Sequence, residues 1–148
     1  MHLALFLSSI KVMRKTLKHL CPFLVFYSLI IMNRENTLIG FSLLKLKGRL
    51  EREGWWGELV MGLRDGYQGK DVGSKLMRAT INLAESERVQ SIFLTTLKKN
   101  VHAISFFKKH GFRIIGDARN IVKWQNSRYD NLEMLLTMPE FTKTKHLN

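Results

Sequence analysis

The chain has 148 residues, one cysteine and a formal net charge of +12, with 45% apolar and 24% charged residues. That length fits one domain around a single core, and the composition excludes disordered, collagen-like and disulfide-scaffold classes. The charge calls for an anionic partner but does not choose among nucleic acid, a membrane face, an acidic protein and a phosphate-rich cofactor.

Residues 3–20 place Leu3, Phe6, Leu7, Ile10, Met13, Leu17 and Leu20 at helical spacing, with Lys11, Arg14, Lys15 and Lys18 largely elsewhere. This predicts a basic amphipathic helix packed on the core, in a first segment spanning residues 1–22. The apolar runs at 3–10 and 23–32 fall short of the ~20 residues of a membrane span. The first run has neither a basic stretch ahead of it nor a small-residue cleavage site behind it, which argues against a signal peptide. Cys21 has no partner for an intrachain disulfide, so a reducing, cytoplasmic setting is expected.

Pro22 stops that helix, and residues 23–138 form the main domain. Two runs rich in β-branched and aromatic residues, 23–32 and 37–46, flank the polar turn Asn33-Arg34-Glu35-Asn36 and predict a hairpin. A third antiparallel strand runs from Trp55 to the turn Arg64-Asp65-Gly66. The period then changes. Val72, Leu76, Met77, Leu83 and Ala84 mark a helix over 72–87, and an apolar strand over 91–97 completes a right-handed crossover. Ala103, Ile104, Phe106 and Phe107 begin a second helix that Gly111 closes in the left-handed conformation. Strands follow at 112–116 and 129–138, the latter in a hairpin with the region around Trp124, and residues 139–148 form a polar, flexible tail.

The chemistry concentrates at Gln68, Gly69, Lys70, Asp71, Val72, Gly73 and Ser74, where a glycine-bearing turn joins a strand to a helix N-terminus. Unpaired backbone N–H groups and the positive end of the helix dipole converge there, the glycines admit a bulky phosphate, and Lys70 and Lys75 add charge. Neither the Walker pattern nor the dinucleotide Gly-x-Gly-x-x-Gly pattern is present, so ATP and NAD are not indicated. The five histidines are scattered, and no metal site is expected. No zinc-finger or RNA-binding pattern accompanies the charge, so nucleic acid is not favoured.

These residues resemble the acetyl-CoA loop of the GNAT N-acetyltransferases, Gln/Arg-x-x-Gly-x-Gly/Ala, at all but one position. Downstream, Asn100, Ala103, Gly111 and Phe112 are similar to the family's Asn-x-x-Ala-x-x-x-Tyr-x-x-x-Gly-Phe segment. The resemblance covers roughly residues 38–138. It implies an α/β (α+β) fold, a mixed, mostly antiparallel central sheet flanked by helices, with a shortened N-terminal region. It further implies acetyl-CoA-dependent transfer to a primary amine of a small molecule, peptide or protein, by direct attack in a ternary complex. Met61, Gly62 and Leu63 then offer main chain to the pantetheine arm, Gln68 through Ser74 hold the pyrophosphate, and Asn100 meets the cofactor at the mouth of the strand splay.

Glu58 is the candidate base, with Trp55, Trp56, Leu59 and Val60 expected to raise its pKa by desolvation. Phe107 stands where the family carries its tyrosine proton donor and has no proton to give; Tyr67, Tyr129, His102 and His110 are the available substitutes. Asp71 replaces a usual glycine, and its carboxylate either caps the N–H of Gly73 or Ser74 or pairs with Lys75. Only about twenty residues precede Phe23, so the wall of the amine site is expected to be incomplete or completed by a partner chain, as in a homodimer. The alternative function is a catalytically weak or inactive CoA-binding protein of the same fold.

Overall fold

Period-two alternation governs the first half of the chain. In the computed structural model, which describes residues 7–16, 24–47 and 55–139, Val25, Tyr27, Leu29 and Ile31 are buried on β2 (Leu24–Asn33) and their neighbours are not. The same one-sided pattern buries Ser42, Leu44 and Leu46 on β3 (Leu38–Lys47), which pairs antiparallel with β2 and fixes the register. Asn33 closes the expected turn: its side-chain oxygen accepts from the backbone N–H of Glu35 at 3.0 Å and of Thr37 at 2.9 Å. β4 (Trp55–Leu63) then pairs antiparallel with β3, setting Glu58 opposite Lys45 and Gly62 opposite Phe41.

One prediction is corrected. The part of the expected N-terminal helix that is described is a strand, β1 (Leu7–Thr16), paired antiparallel with β2 from Leu7 opposite Asn33 to Thr16 opposite Val25. The physical reason lies in the neighbour. β2 bonds β3 along one edge only, and a strand along the other edge satisfies its second row of backbone N–H and C=O groups, a demand that helical spacing cannot reveal. The β-branched Ile10, Val12 and Thr16 also suit a pleated strand. Residues 3–6 and 17–22 of that segment, the connection 48–54 and the tail from 140 onward lie outside the described residues.

α1 (Val72–Ser86) buries Val72, Gly73, Leu76, Met77, Thr80 and Ala84, a stripe at three- and four-residue spacing that rests on β3 and β2. A buried polar contact pins it. The Thr80 hydroxyl donates to the Leu76 carbonyl at 2.8 Å, so the 2.7 Å contact between Ser42 and Thr80 uses the proton of Ser42.

These elements lie in one compact unit, Met1–Val89, and a second unit spans Gln90–Asn148. The second comprises β5 (Val89–Leu97), which starts at the last residue of the first, α2 (Val101–Lys109), β6 (Arg113–Trp124) and β7 (Ser127–Thr137). β7 pairs antiparallel with both β5 and β6. Ile92, Leu94, Phe112, Leu132 and Met134 supply buried apolar groups. β6 runs past the predicted end at 116 because the hairpin turn sits at Gln125 and Asn126, both at positive φ (43° and 63°), as a tight turn between twisted strands requires. Gly111 takes φ 90° after α2, as expected, and its N–H bonds the Lys108 carbonyl at 3.0 Å.

Candidate functional site

The loop leaving β4 is braced by the Gln68 side chain. The Gln68 side-chain oxygen accepts from the Gly66 N–H at 3.0 Å, and its amide nitrogen lies 3.5 Å from both the Leu63 carbonyl and the Asp65 carboxylate. Gln68 therefore shapes the turn, a role the motif match does not disclose. Gly69 takes φ 71°, and a Cβ there would meet nothing within 4 Å, so glycine is required by backbone conformation and not by crowding.

The helix starts in an unusual way. Asp71, the N-cap of α1, sits in the left-handed region at φ 61°, and its side chain makes no capping hydrogen bond. A capping side chain works from a β-region backbone, which aims its oxygen at the N–H groups two and three residues ahead; a left-handed residue does not. The capping alternative for Asp71 is thus corrected, and the ion-pair alternative is found: its carboxylate lies 4.0 Å from the Lys75 ammonium and 3.6 Å from the Arg78 guanidinium. Arg78 was not singled out from sequence, although its spacing, two helical turns on, was the available signal.

The consequence is a helix start whose first amides are left without a side-chain cap. The N–H groups of Val72, Gly73 and Ser74 have no partner inside the helix, and among the described residues no side chain caps them. They carry the positive end of the macrodipole, with Lys70, Lys75 and Arg78 on the same stretch. The donor set fits a pyrophosphate, and the Asp71 carboxylate, turned onto two cations, is the one opposing charge within the loop itself.

On β4, Met61, Gly62 and Leu63 are half-buried. A Cβ on Gly62 would stand 2.8 Å from the Phe41 ring, so this glycine lets an aromatic side chain lie across the strand. Glu58 is held 2.7 Å from the Lys47 ammonium and 3.9 Å from that of Lys45. The hydrogen bond from Lys47 holds its carboxyl below the usual range, outweighing the opposing push from partial burial, and the charges of Lys47 and Lys45 add to the lowering. The expected upward shift is therefore reversed. Strand alternation explains it: Leu59 is buried on the opposite face, while Trp56 and Val60, which share the face of Glu58, are exposed and desolvate little. The side chain of Trp55 lies outside the described residues.

In the second unit, Asn100 is the N-cap of α2, and its side-chain oxygen accepts from the Ala103 N–H at 3.1 Å. Phe107 packs edge-on against Phe106 and Phe112, with ring centroids 5.5 and 5.6 Å apart. Among the suggested proton donors, His110 is tied to the Phe106 carbonyl at 2.8 Å, and Tyr129 lies beneath the Lys99 ammonium at 3.8 Å. Among the described residues no three His, Cys, Asp or Glu side chains gather to hold a metal, and no helix is long and apolar enough to cross a membrane.

Residues 11–112 match the model of the acetyltransferase (GNAT) family. The chain belongs to the GNAT family. The spermine/spermidine N(1)-acetyltransferase of Bacillus subtilis (strain 168) is 30% identical over 87 residues, 56% of this chain and 57% of that protein. The chain thus spans little more than half the length of the curated relatives it matches. NAA60 of Arabidopsis thaliana, solved with a bisubstrate analogue, aligns at TM-score 0.70 and 16% identity over 76% of each chain. The ribosomal-protein-S18-alanine N-acetyltransferase of Escherichia coli aligns at TM-score 0.65 and 19% identity, over 83% of this chain and 74% of its own. These GNAT neighbours establish the fold class: an α/β (α+β) arrangement of seven mostly antiparallel strands and two helices among the described residues.

Proposed function

We propose that this GNAT chain is an acetyl-CoA-dependent N-acetyltransferase acting on a primary amine of a small molecule, peptide or protein. The observation that carries the reading is the uncapped, glycine-flanked start of α1, which lies inside the family match and has the donor set of a pyrophosphate site. Acetyl-CoA, when bound, supplies the activated acetyl thioester that a neutral amine attacks.

The chain's own residues divide the remaining work. Gly69, Gly73, Ser74 and the main chain of Lys70, Asp71 and Val72 hold the pyrophosphate, with Gln68 bracing the turn beneath them. Met61, Gly62 and Leu63 offer main chain to the pantetheine arm, and Asn100 and Phe107 are the remaining cofactor-binding positions that the family resemblance implies. Glu58, ionised in its pair with Lys47, is a weak proton acceptor. Water is the better agent for removing the ammonium proton, with Glu58 acting on the electrostatics of β4. Phe107 carries no ionisable proton, so delivery of a proton at the sulfur falls to solvent as well.

The test is release of free thiol from acetyl-CoA in the presence of an amine panel that includes spermidine, an aminoglycoside-type small molecule and a peptide α-amine. Turnover on any of them is the expected outcome. Tight acetyl-CoA binding without turnover on any amine would support the alternative, a CoA-binding protein without chemistry, to which Asp71 and Phe107 point.

A further inference from the structure

The second unit carries a feature that the loop chemistry does not use. Lys98, Lys99, Arg128, Tyr129 and Asp130 line an open groove of about 420 Å³ on the turn between β5 and α2 and on the first residues of β7. The turn is fixed by its own backbone: the Lys98 N–H bonds the Asp130 carbonyl at 2.9 Å, the Asn100 N–H that of Leu97 at 2.9 Å, and the Val101 N–H that of Lys99 at 3.0 Å. The cations are therefore mounted on a rigid seat, immediately ahead of Asn100.

Their charges are not equally committed. Lys98 is paired with the Asp117 carboxylate, which reaches it from β6. Lys99 instead rests on the face of Tyr129, its ammonium 3.8 Å from the ring centroid. A cation held by an aromatic ring is positioned without being neutralised. Lys98 is thus matched by the Asp117 carboxylate, whereas Lys99 keeps its positive charge as a surplus at the face of Tyr129. A polycation entering the groove would meet that surplus head-on; a carboxylate or phosphate would complement it.

We propose that this groove binds an anionic oxygen group, a carboxylate or phosphate, carried either by the acceptor amine or by the 3′-phosphate of CoA, with Lys99 on its Tyr129 platform as the principal contact. The proposal rests on the acetyltransferase reading only for the identity of the carrier; the groove and its charge stand apart from it.

The Tyr129 ring lies directly beneath the binding cation, so its aromatic proton resonances report occupancy whether or not any amine turns over. Titration of the full chain with inorganic phosphate is expected to shift them saturably, and Lys99→Gln to weaken the response by about fivefold. Two further arms identify the carrier. If CoA saturates the Tyr129 shift and dephospho-CoA does not, the 3′-phosphate is the ligand. If an acidic peptide α-amine does so and its amide counterpart does not, the acceptor carries the anion. A Tyr129 signal that fails to respond to phosphate, CoA and the acidic peptide alike, or responds equally in Lys99→Gln and the parent, overturns the proposal. Failure of the proposed function reads differently: no thiol release on any amine, with the phosphate response intact.

Discussion

The two helices begin in opposite ways. α2 has a conventional start: Asn100 sits at φ −83°, and its side chain accepts from the Ala103 N–H, so part of the orphan donor set is spent internally. α1 starts from a left-handed Asp71 whose side chain caps nothing and pairs with Lys75 and Arg78 instead. A cap stabilises a helix end and closes it to ligands; omitting the cap sacrifices that stability and leaves the amides for an anion. The contrast teaches that Asp71, although among the preferred N-cap residue types, is not acting as one, because backbone conformation overrides side-chain preference.

The largest effect should come from closing off the left-handed backbone ahead of α1. Gly69→Val puts a β-branched residue at φ 71°, which is expected to cost about 1–2 kcal/mol of stability in chemical denaturation and to weaken acetyl-CoA binding at the same time. Next comes the capped helix. Asn100→Ala should cost about 1 kcal/mol, recovered in large part by Asn100→Ser, whereas Asp71→Ala should cost less, about 0.5 kcal/mol, because it loses two exposed ion pairs but no cap. An equal loss at both positions in thermal melts would erase the distinction drawn between them.

Asp71→Gly sharpens the comparison further. Relief of the left-handed strain is offset by greater freedom of the unfolded chain and by loss of the two ion pairs, so stability should stay within about 0.5 kcal/mol. Acetyl-CoA affinity should nevertheless rise by about two- to fivefold, since a carboxylate leaves and Lys75 and Arg78 are released. Calorimetry showing an unchanged dissociation constant would mean that the carboxylate does not compete.

The smallest effect concerns Glu58. Because its folded pKa is lowered, the Lys47 pair contributes stability above the unfolded carboxyl pKa and loses it as pH falls through the lower folded value. More than a third of the side chain is exposed, so the contribution is well under about 1 kcal/mol. The difference in stability between Glu58→Gln and the parent should be detectable at neutral pH and vanish on strong acidification. In turnover, Glu58→Gln should lower kcat/KM by less than about tenfold, where removal of a true general base costs about a hundredfold or more.

Much of this was legible in the sequence, and the failures have physical reasons. Alternation and turn chemistry gave the Asn33 hairpin and the limits of β4, and the change of period at Val72 gave α1, because each depends on residues close together in the chain. β1 was not legible: whether Ile10 and Val12 join a helix or a strand is decided by the open edge of β2, a tertiary demand. The state of Glu58 was hidden for a similar reason, since only the register of β3 against β4 sets Lys45 opposite it and brings Lys47 within reach. The loop is legible through its pattern, yet the brace by Gln68 and the left-handed Asp71 depend on backbone conformation, which residue spacing does not carry.

The central claim is that an uncapped α1 terminus receives the anion of acetyl-CoA while the capped α2 terminus keeps its side-chain bond. The most direct measurement is an amide-resolved NMR titration of the full chain with acetyl-CoA. Saturable shifts are expected to be largest at Gly69, Val72, Gly73 and Ser74, with the Ala103 amide far less affected. No saturable change along residues 69–74, or a response centred on Ala103, would contradict it.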